Sequence, residues 1–245
     1  VCRHLAYLGA PIGLADLLVG PPHSLYRQSW APRRQTSGVV NADGFGVGWY
    51  VEGDPVPARH RAAGPIWADE TFVDLARVVR TSAVLAAVRS ATPGMAPGIG
   101  AAAPFRDGTW LFSHNGAVSG WPQVASRLAW GLDPGSVATA DAATDSALLW
   151  VRLRELLRSG KAPDAAVQEI VGVVAEAGGG TVNLLLTDGH RIVASAVGAS
   201  LSWRADDHGV VVASEPFDDG PGWSDVPDGS LLTATVDGVD VRALA

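Results

Sequence analysis

The 245-residue sequence predicts an α+β fold with strands and helices segregated along the chain. Three observations predict it. Strand-like runs open the chain, two helix-period segments occupy its middle, and short apolar runs between Gly- and Asp-rich turns fill the last third. That order argues for layered α+β packing rather than repeated βαβ units. The length permits one large domain or two small ones and is enough to bury a sizeable core.

Residues 2–8 read as a short, mostly apolar strand. Residues 14–19 suit a helical turn or two, stopped by Gly20, Pro21 and Pro22. A strand is expected over 45–51, with Gly44, Gly46 and Gly48 before and within it, and a helix over 69–80. Residues 83–88 form a continuous apolar run, consistent with a buried strand. The Pro/Gly/Ala-rich stretch 91–104 reads as a loop, and 109–113 resumes as a strand.

Residues 119–143 read as irregular, with one short helix around 123–128. Thr144 suits an N-cap and Asp145 the first turn, where a carboxylate meets the positive end of the helix dipole. Leu149, Leu153 and Leu156 then recur at i, i+4, i+7 and define one buried face. A second helix covers 164–177 and ends at Gly178-Gly179-Gly180. Six strands follow, over 182–187, 192–197, 201–204, 210–214, 231–235 and 239–241, and suggest an antiparallel meander.

Composition excludes several functions. Hydrophobic residues at 47% against 18% charged argue for an ordered globular protein. A net charge of −7 without a basic run opposes nucleic-acid binding. No apolar run approaches the roughly 20 residues a membrane span needs. No basic-then-apolar signal pattern opens the sequence, so a cytoplasmic location is expected. Six histidines without HxxH or HxxxH spacing, and a single cysteine, argue against a metal site. No cofactor is implied.

That cysteine is Cys2. It is either a small buried hydrophobe or a nucleophile. If residue 1 is cleaved, Cys2 acquires an α-amine of pKa about 7.7–8.0, and thiol and base then share one residue. Val1 is the residue that a GTG start codon gives when translated literally, and an initiator methionine before cysteine is expected to be trimmed. A retained residue 1 would block the amine.

Four further motifs carry chemistry. In Ala87-Val88-Arg89-Ser90-Ala91-Thr92 an apolar strand ends in an arginine, which binds a carboxylate bidentately or simply faces solvent. Ser113-His114-Asn115-Gly116 offers an amide and a backbone N–H to an oxyanion, or forms a type I′ hairpin turn. Thr144-Asp145-Ser146 places a carboxylate where it can meet an ammonium, or merely caps a helix. Asn41-Ala42-Asp43-Gly44-Phe45-Gly46 lets backbone approach a ligand closely. Each is weak alone; their order behind Cys2 is specific.

Together these motifs resemble the class II glutamine amidotransferases, a family of N-terminal nucleophile hydrolases. The resemblance runs the length of the chain and implies one domain over residues 1–245. The implied fold is a four-layer αββα sandwich, two antiparallel sheets between helices. It implies Cys2 as nucleophile, Asn115 and Gly116 as oxyanion hole, Arg89 for the α-carboxylate of a glutamyl group and Asp145 for its α-ammonium. Asp43, Gly44 and Gly46 match the family's early glycine loop, and Thr92 follows the arginine motif.

Cys2-Arg3-His4-Leu5-Ala6-Tyr7-Leu8-Gly9, Gln28-Ser29-Trp30-Ala31-Pro32-Arg33-Arg34-Gln35, Ala213-Ser214-Glu215-Pro216-Phe217-Asp218-Asp219 and Pro221-Gly222-Trp223-Ser224-Asp225 look like the ergothioneine-biosynthesis branch of that family. This implies hydrolysis of γ-glutamyl-hercynylcysteine S-oxide to glutamate and hercynylcysteine S-oxide. The leaving group carries a trimethylammonium, which aromatic faces attract. Trp30 and Trp223 are therefore candidates for binding it, or are core or lid aromatics. Arg33 and Arg34 either meet its carboxylate or are solvated. His4 and His114 read as hydrogen-bonded core groups. The implied partner is a small γ-glutamyl molecule; no obligatory protein partner is expected, and a homo-oligomer stays open. The alternatives are a glutaminase subunit feeding ammonia to a separate synthase, and a non-catalytic binding protein.

Overall fold

Two sheets pack face to face, and helices cover both outer faces. A computed structural model describes every residue except Val1, Ser37, Val39, Pro93, Gly94, Ala96 and Ala245. The expected loss of residue 1 therefore lies outside the described residues.

In chain order the elements begin with β1 (Arg3–Gly13), α1 (Leu14–Leu18), α2 (Leu25–Gln28), β2 (Phe45–Val51) and β3 (Asp54–Ala62). Next come α3 (Glu70–Val78), β4 (Arg80–Val88), β5 (Phe105–Asp107) and β6 (Trp110–Val118). The central helices are α4 (Ala125–Leu128), α5 (Pro134–Ala138), α6 (Asp145–Arg158) and α7 (Pro163–Ala177). The last third holds β7 (Gly180–Thr187), β8 (Ile192–Ala196), β9 (Ser202–Asp206), β10 (Gly209–Ala213), β11 (Ser224–Asp225), β12 (Ser230–Thr235) and β13 (Gly238–Ala243). No helix among the described residues is long and apolar enough to cross a membrane.

The seven-stranded sheet has the order β11-β9-β10-β1-β4-β2-β3, and the six-stranded sheet β13-β12-β8-β7-β6-β5. Each pairing is antiparallel. Successive strand residues point to opposite faces, so one strand serves two cores. In β1, Leu5 and Tyr7 join Leu14, Leu17, Leu18 and Phe72 of the covering helices. Ala6 and Leu8 instead meet Leu185, Ala194 and Leu232 of the second sheet. On the far side Phe112, Leu184 and Leu186 pack under Leu149, Leu153, Val167 and Ile170 of α6 and α7. Three apolar layers thus separate four layers of secondary structure, the αββα arrangement that the resemblance implies.

Several expectations change. β1 runs to Gly13 rather than ending at residue 8. The helix expected over 69–80 spans Glu70–Val78: Asp69 is its N-cap, accepting from the Phe72 N–H at 2.9 Å, and Arg80 already belongs to β4. The strand resumed at residue 109 does not stop at 113. It continues through Asn115-Gly116 to Val118, paired with β7, so this Asn-Gly is no hairpin turn. The last third is not one meander. After β8 the chain crosses to the other sheet for β9–β11, then returns for β12 and β13.

Candidate active site

Cys2 lies at the open end of the β1–β4 ladder. Arg3 pairs with Val88, so Cys2 extends beside Arg89. Its thiol is 4.0 Å from the Ser90 carbonyl oxygen. Cys2, Arg89, Ser113, His114 and Ser146 line one small cavity of about 20 Å³, room for a water molecule. Burial pushes the Cys2 thiol above its ordinary value; the Arg89 charge pulls it back and Asp145 adds to the rise.

The glycine loop and the arginine motif interlock. The Arg89 guanidinium donates to the Asp43 carbonyl at 3.1 Å, and the Arg89 N–H donates to Gly44 O at 2.8 Å. In return the Asp43 N–H donates to Arg89 O at 2.9 Å, and the Asp43 carboxylate accepts the Ala91 N–H at 2.8 Å. Gly44 turns the chain there at φ +128°, where a Cβ would sit 3.1 Å from the Ala62 carbonyl oxygen.

Asn115 and Gly116 enter from the second sheet, on β6. Asn115 is fully buried and its Nδ2 donates to Ser214 Oγ at 3.4 Å. A Cβ on Gly116 would lie 1.8 Å from the Thr181 carbonyl oxygen of β7, so only glycine fits this register. His4 and Ser113 make a second tie between the sheets, Nδ1 to Oγ at 3.2 Å. Burial holds His4 well below its ordinary pKa, reinforced by the charges of His114 and Arg3.

Asp145 opens α6 while Thr144 caps it, the Thr144 hydroxyl accepting the Ala147 N–H at 3.2 Å. The Asp145 carboxylate accepts the Val118 N–H at 2.9 Å and the Ser146 N–H at 2.7 Å. A carboxylate has about four lone-pair sites, so capacity for an ammonium remains. His114 joins the same corner: its Nε2 donates to Thr181 O at 3.0 Å, and its Nδ1 meets Ser146 Oγ at 2.9 Å. Thr92 lines a neighbouring cavity of about 200 Å³ with Ala117, Val118, Gly120 and Trp121, against the strand end that Asp145 holds.

Cys2 and Arg89 thus share one cavity, Asp43 and Gly44 are bonded to Arg89, Asn115 reaches the strand that follows Cys2 through Ser214, and Asp145 meets Val118 beside the cavity of Thr92, although 143 positions separate Cys2 from Asp145 in the sequence. Trp30 and Trp223 line neither cavity. Trp30 meets Tyr26 and Trp67 edge-on, with centroids at 5.2 and 5.5 Å. Trp223 packs on Phe217 at 5.1 Å beneath the Arg204 guanidinium, and its indole N–H donates to Asp218. Arg33 and Arg34 pair with Asp219 and Asp225.

Three residues carry structural weight that sequence reasoning left without a role. Ser113 meets His4, and Ser214 meets Asn115. The buried carboxylate of Glu215 accepts the backbone N–H groups of Arg33 and Arg34 at 2.9 and 2.7 Å. The Ala213-Ser214-Glu215 run was the only signal that could have marked the last two.

The family model of class II glutamine amidotransferases matches residues 22–202. The chain belongs to the class II glutamine amidotransferases. Among relatives of this amidotransferase, the gamma-glutamyl-hercynylcysteine sulfoxide hydrolase of Mycolicibacterium smegmatis is 43% identical over 232 residues, 95% of each chain. The protein of that name from Mycobacterium tuberculosis is 40% identical over 244 residues, covering 100% of this chain and 97% of its own. Among solved structures, a glutamine aminotransferase class-II domain protein of Silicibacter pomeroyi superposes with a TM-score of 0.72 at 24% identity, covering 100% of both chains. That likeness establishes the shared fold. The amidotransferase family and its hydrolase relatives make this chain an amidohydrolase.

Proposed function

We propose that the chain hydrolyses the γ-glutamyl amide of γ-glutamyl-hercynylcysteine S-oxide, releasing glutamate and hercynylcysteine S-oxide in ergothioneine biosynthesis. One observation carries this reading: the two mycobacterial hydrolases named for that substrate align with this chain from end to end. The shared cavity of Cys2 and Arg89, and the Ser214 hydroxyl that links Asn115 to the strand following Cys2, support it.

The reaction in this reading is acyl transfer through Cys2. With residue 1 removed, the Cys2 α-amine takes the thiol proton and the sulfur bonds to the γ-carbonyl carbon. Asn115 Nδ2 and the Gly116 N–H stabilise the oxyanion; losing one such donor typically costs about 2.7–4 kcal/mol of barrier. The C–N bond breaks, the α-ammonium protonates the leaving amine, and a glutamyl thioester remains on Cys2. Water then releases glutamate. Arg89 and Asp145 hold the α-carboxylate and α-ammonium, and this orientation is a large part of the rate. Residues 1–245 act as one domain in this reading, in the cytoplasm and without an obligatory protein partner.

The test pairs turnover with intact mass. Purified protein is given γ-glutamyl-hercynylcysteine S-oxide, its sulfide counterpart and free glutamine, and products are followed by mass spectrometry. Loss of Val1, a glutamyl adduct on Cys2 and preference for the S-oxide are expected, with no activity in Cys2→Ala. Faster hydrolysis of glutamine, or dependence on a synthase, would turn the reading toward a glutaminase subunit.

A further inference from the structure

Ser214 stands where the two sheets meet behind Asn115. It follows β10 directly and is fully buried. Its backbone N–H donates to His4 O at 2.9 Å, and the His4 N–H donates not to a backbone carbonyl but to Ser214 Oγ at 3.0 Å. The hydroxyl therefore replaces a main-chain acceptor in the ladder that carries Cys2. The same oxygen accepts Asn115 Nδ2 from the opposite sheet at 3.4 Å. One hydroxyl thus joins the nucleophile's strand to the oxyanion residue.

The hydrogen-bond accounting at this point is incomplete. Among the described residues Ser214 Oγ only accepts, so its own proton has no acceptor, and the buried Asn115 Oδ1 has no partner. A hydroxyl can donate once while accepting, and an amide can present either end. Turning the Asn115 amide by half a turn resolves both defects. Ser214 then accepts from the His4 N–H and donates to Asn115 Oδ1, and both amide N–H bonds are released for an oxyanion.

We propose that Ser214 is a positioning residue: in the working enzyme its hydroxyl holds Asn115 by Oδ1 and so turns the amide NH₂ toward the oxyanion. This rests on the proposed function, because only a reaction with an oxyanion makes use of it. The role differs from filling space. It predicts a loss in the chemical step, not in binding, and no loss where Asn115 is already gone.

The experiment is a kinetic series on the full chain with the γ-glutamyl substrate. Ser214→Ala should lower kcat on the order of 10–100-fold, less than or equal to removal of a whole oxyanion donor, with KM and inhibition by glutamate unchanged. Ser214→Thr and Ser214→Val are matched in size and differ in the hydroxyl, so the Thr variant should exceed the Val variant in kcat at least about tenfold. Adding Ser214→Ala to Asn115→Ala should cost nothing further, since the two act as one unit. Turnover within twofold of the parent in Ser214→Ala, equal Thr and Val variants, or additive losses would each overturn the inference. Cys2→Ala separates the two levels. If it retains turnover the proposed reaction itself fails; if it is inactive while Ser214→Ala is unimpaired, only the role of Ser214 falls.

Discussion

The carboxylate of Asp145 accepts the backbone N–H of Val118 at 2.9 Å, which ties the first turn of α6 to the strand that carries Asn115 and Gly116. The same group is proposed to hold the substrate's ammonium. Asp145→Asn keeps an acceptor for Val118 but removes the charge. It should raise KM for γ-glutamyl substrates at least about tenfold, the equivalent of about 1.4 kcal/mol, with a small change in melting temperature. Asp145→Ala leaves two N–H groups unsatisfied and should cost about 1–3 kcal/mol of stability as well. Steady-state kinetics beside thermal unfolding checks both.

Gly116→Ala tests the register of β6 on β7. The added Cβ would stand 1.8 Å from the Thr181 carbonyl oxygen, so backbone must move. Loss of at least about 2 kcal/mol in denaturant unfolding is expected, together with near-complete loss of turnover. A variant as stable as the parent would show that β6 and β7 pair differently.

His4 makes stability depend on pH. Its folded pKa lies well below its ordinary value of about 6.5 because burial penalises the charged ring. Below pH about 6.5 the unfolded chain binds a proton that the folded chain does not, so stability falls as pH drops, by up to about 1.4 kcal/mol per unit. Replacing the ring by His4→Gln should flatten this slope. Urea unfolding at pH 7.0 and about 5.5 compares the two proteins, and equal slopes would exclude His4 as the cause.

The Cys2 thiol should be slow to alkylate near neutral pH. Burial raises it above the ordinary cysteine value, so its thiolate appears only at more alkaline pH than the free amino acid's, about 8.5. The rate of iodoacetamide labelling against pH, read by intact mass, checks this. A midpoint below that of free cysteine would show that positive charge, not burial, governs the sulfur.

Trp223→Ala should act on stability first. The indole fills a stack with Phe217 and Arg204 and donates to Asp218 at 3.0 Å. A loss of about 3–5 kcal/mol is typical of a Trp→Ala change in a core, and a part-exposed site falls toward the lower end. Comparing KM for the S-oxide substrate and for glutamine decides its role: a rise confined to the larger substrate would assign the ring to the leaving group.

Much of this fold is legible in the sequence where the signal is local. The run Phe45–Val51 matches its strand end to end, and Thr144-Asp145 marks the start of α6. β3 escapes because Pro55, Pro57, Arg59 and Arg61 contradict strand propensity, and it survives as an edge strand, where a missing N–H costs little. Sheet membership escapes for a different reason. β8 and β10 are both short apolar runs, and only non-local pairing sends them to opposite sheets. At the site the motif residues are readable, whereas Ser214 and Glu215 act through geometry that no spacing encodes.

The position of β10 beside β1 bears on when the reactive centre comes into being. Cys2 is made before residues 209–213, and until they follow, its neighbouring strand is flanked on one side only. Such long-range closure is slow compared with local helix formation. In a nascent chain the thiol is therefore an ordinary solvated cysteine, and the assembled centre arrives in a late step that joins distant parts of the chain.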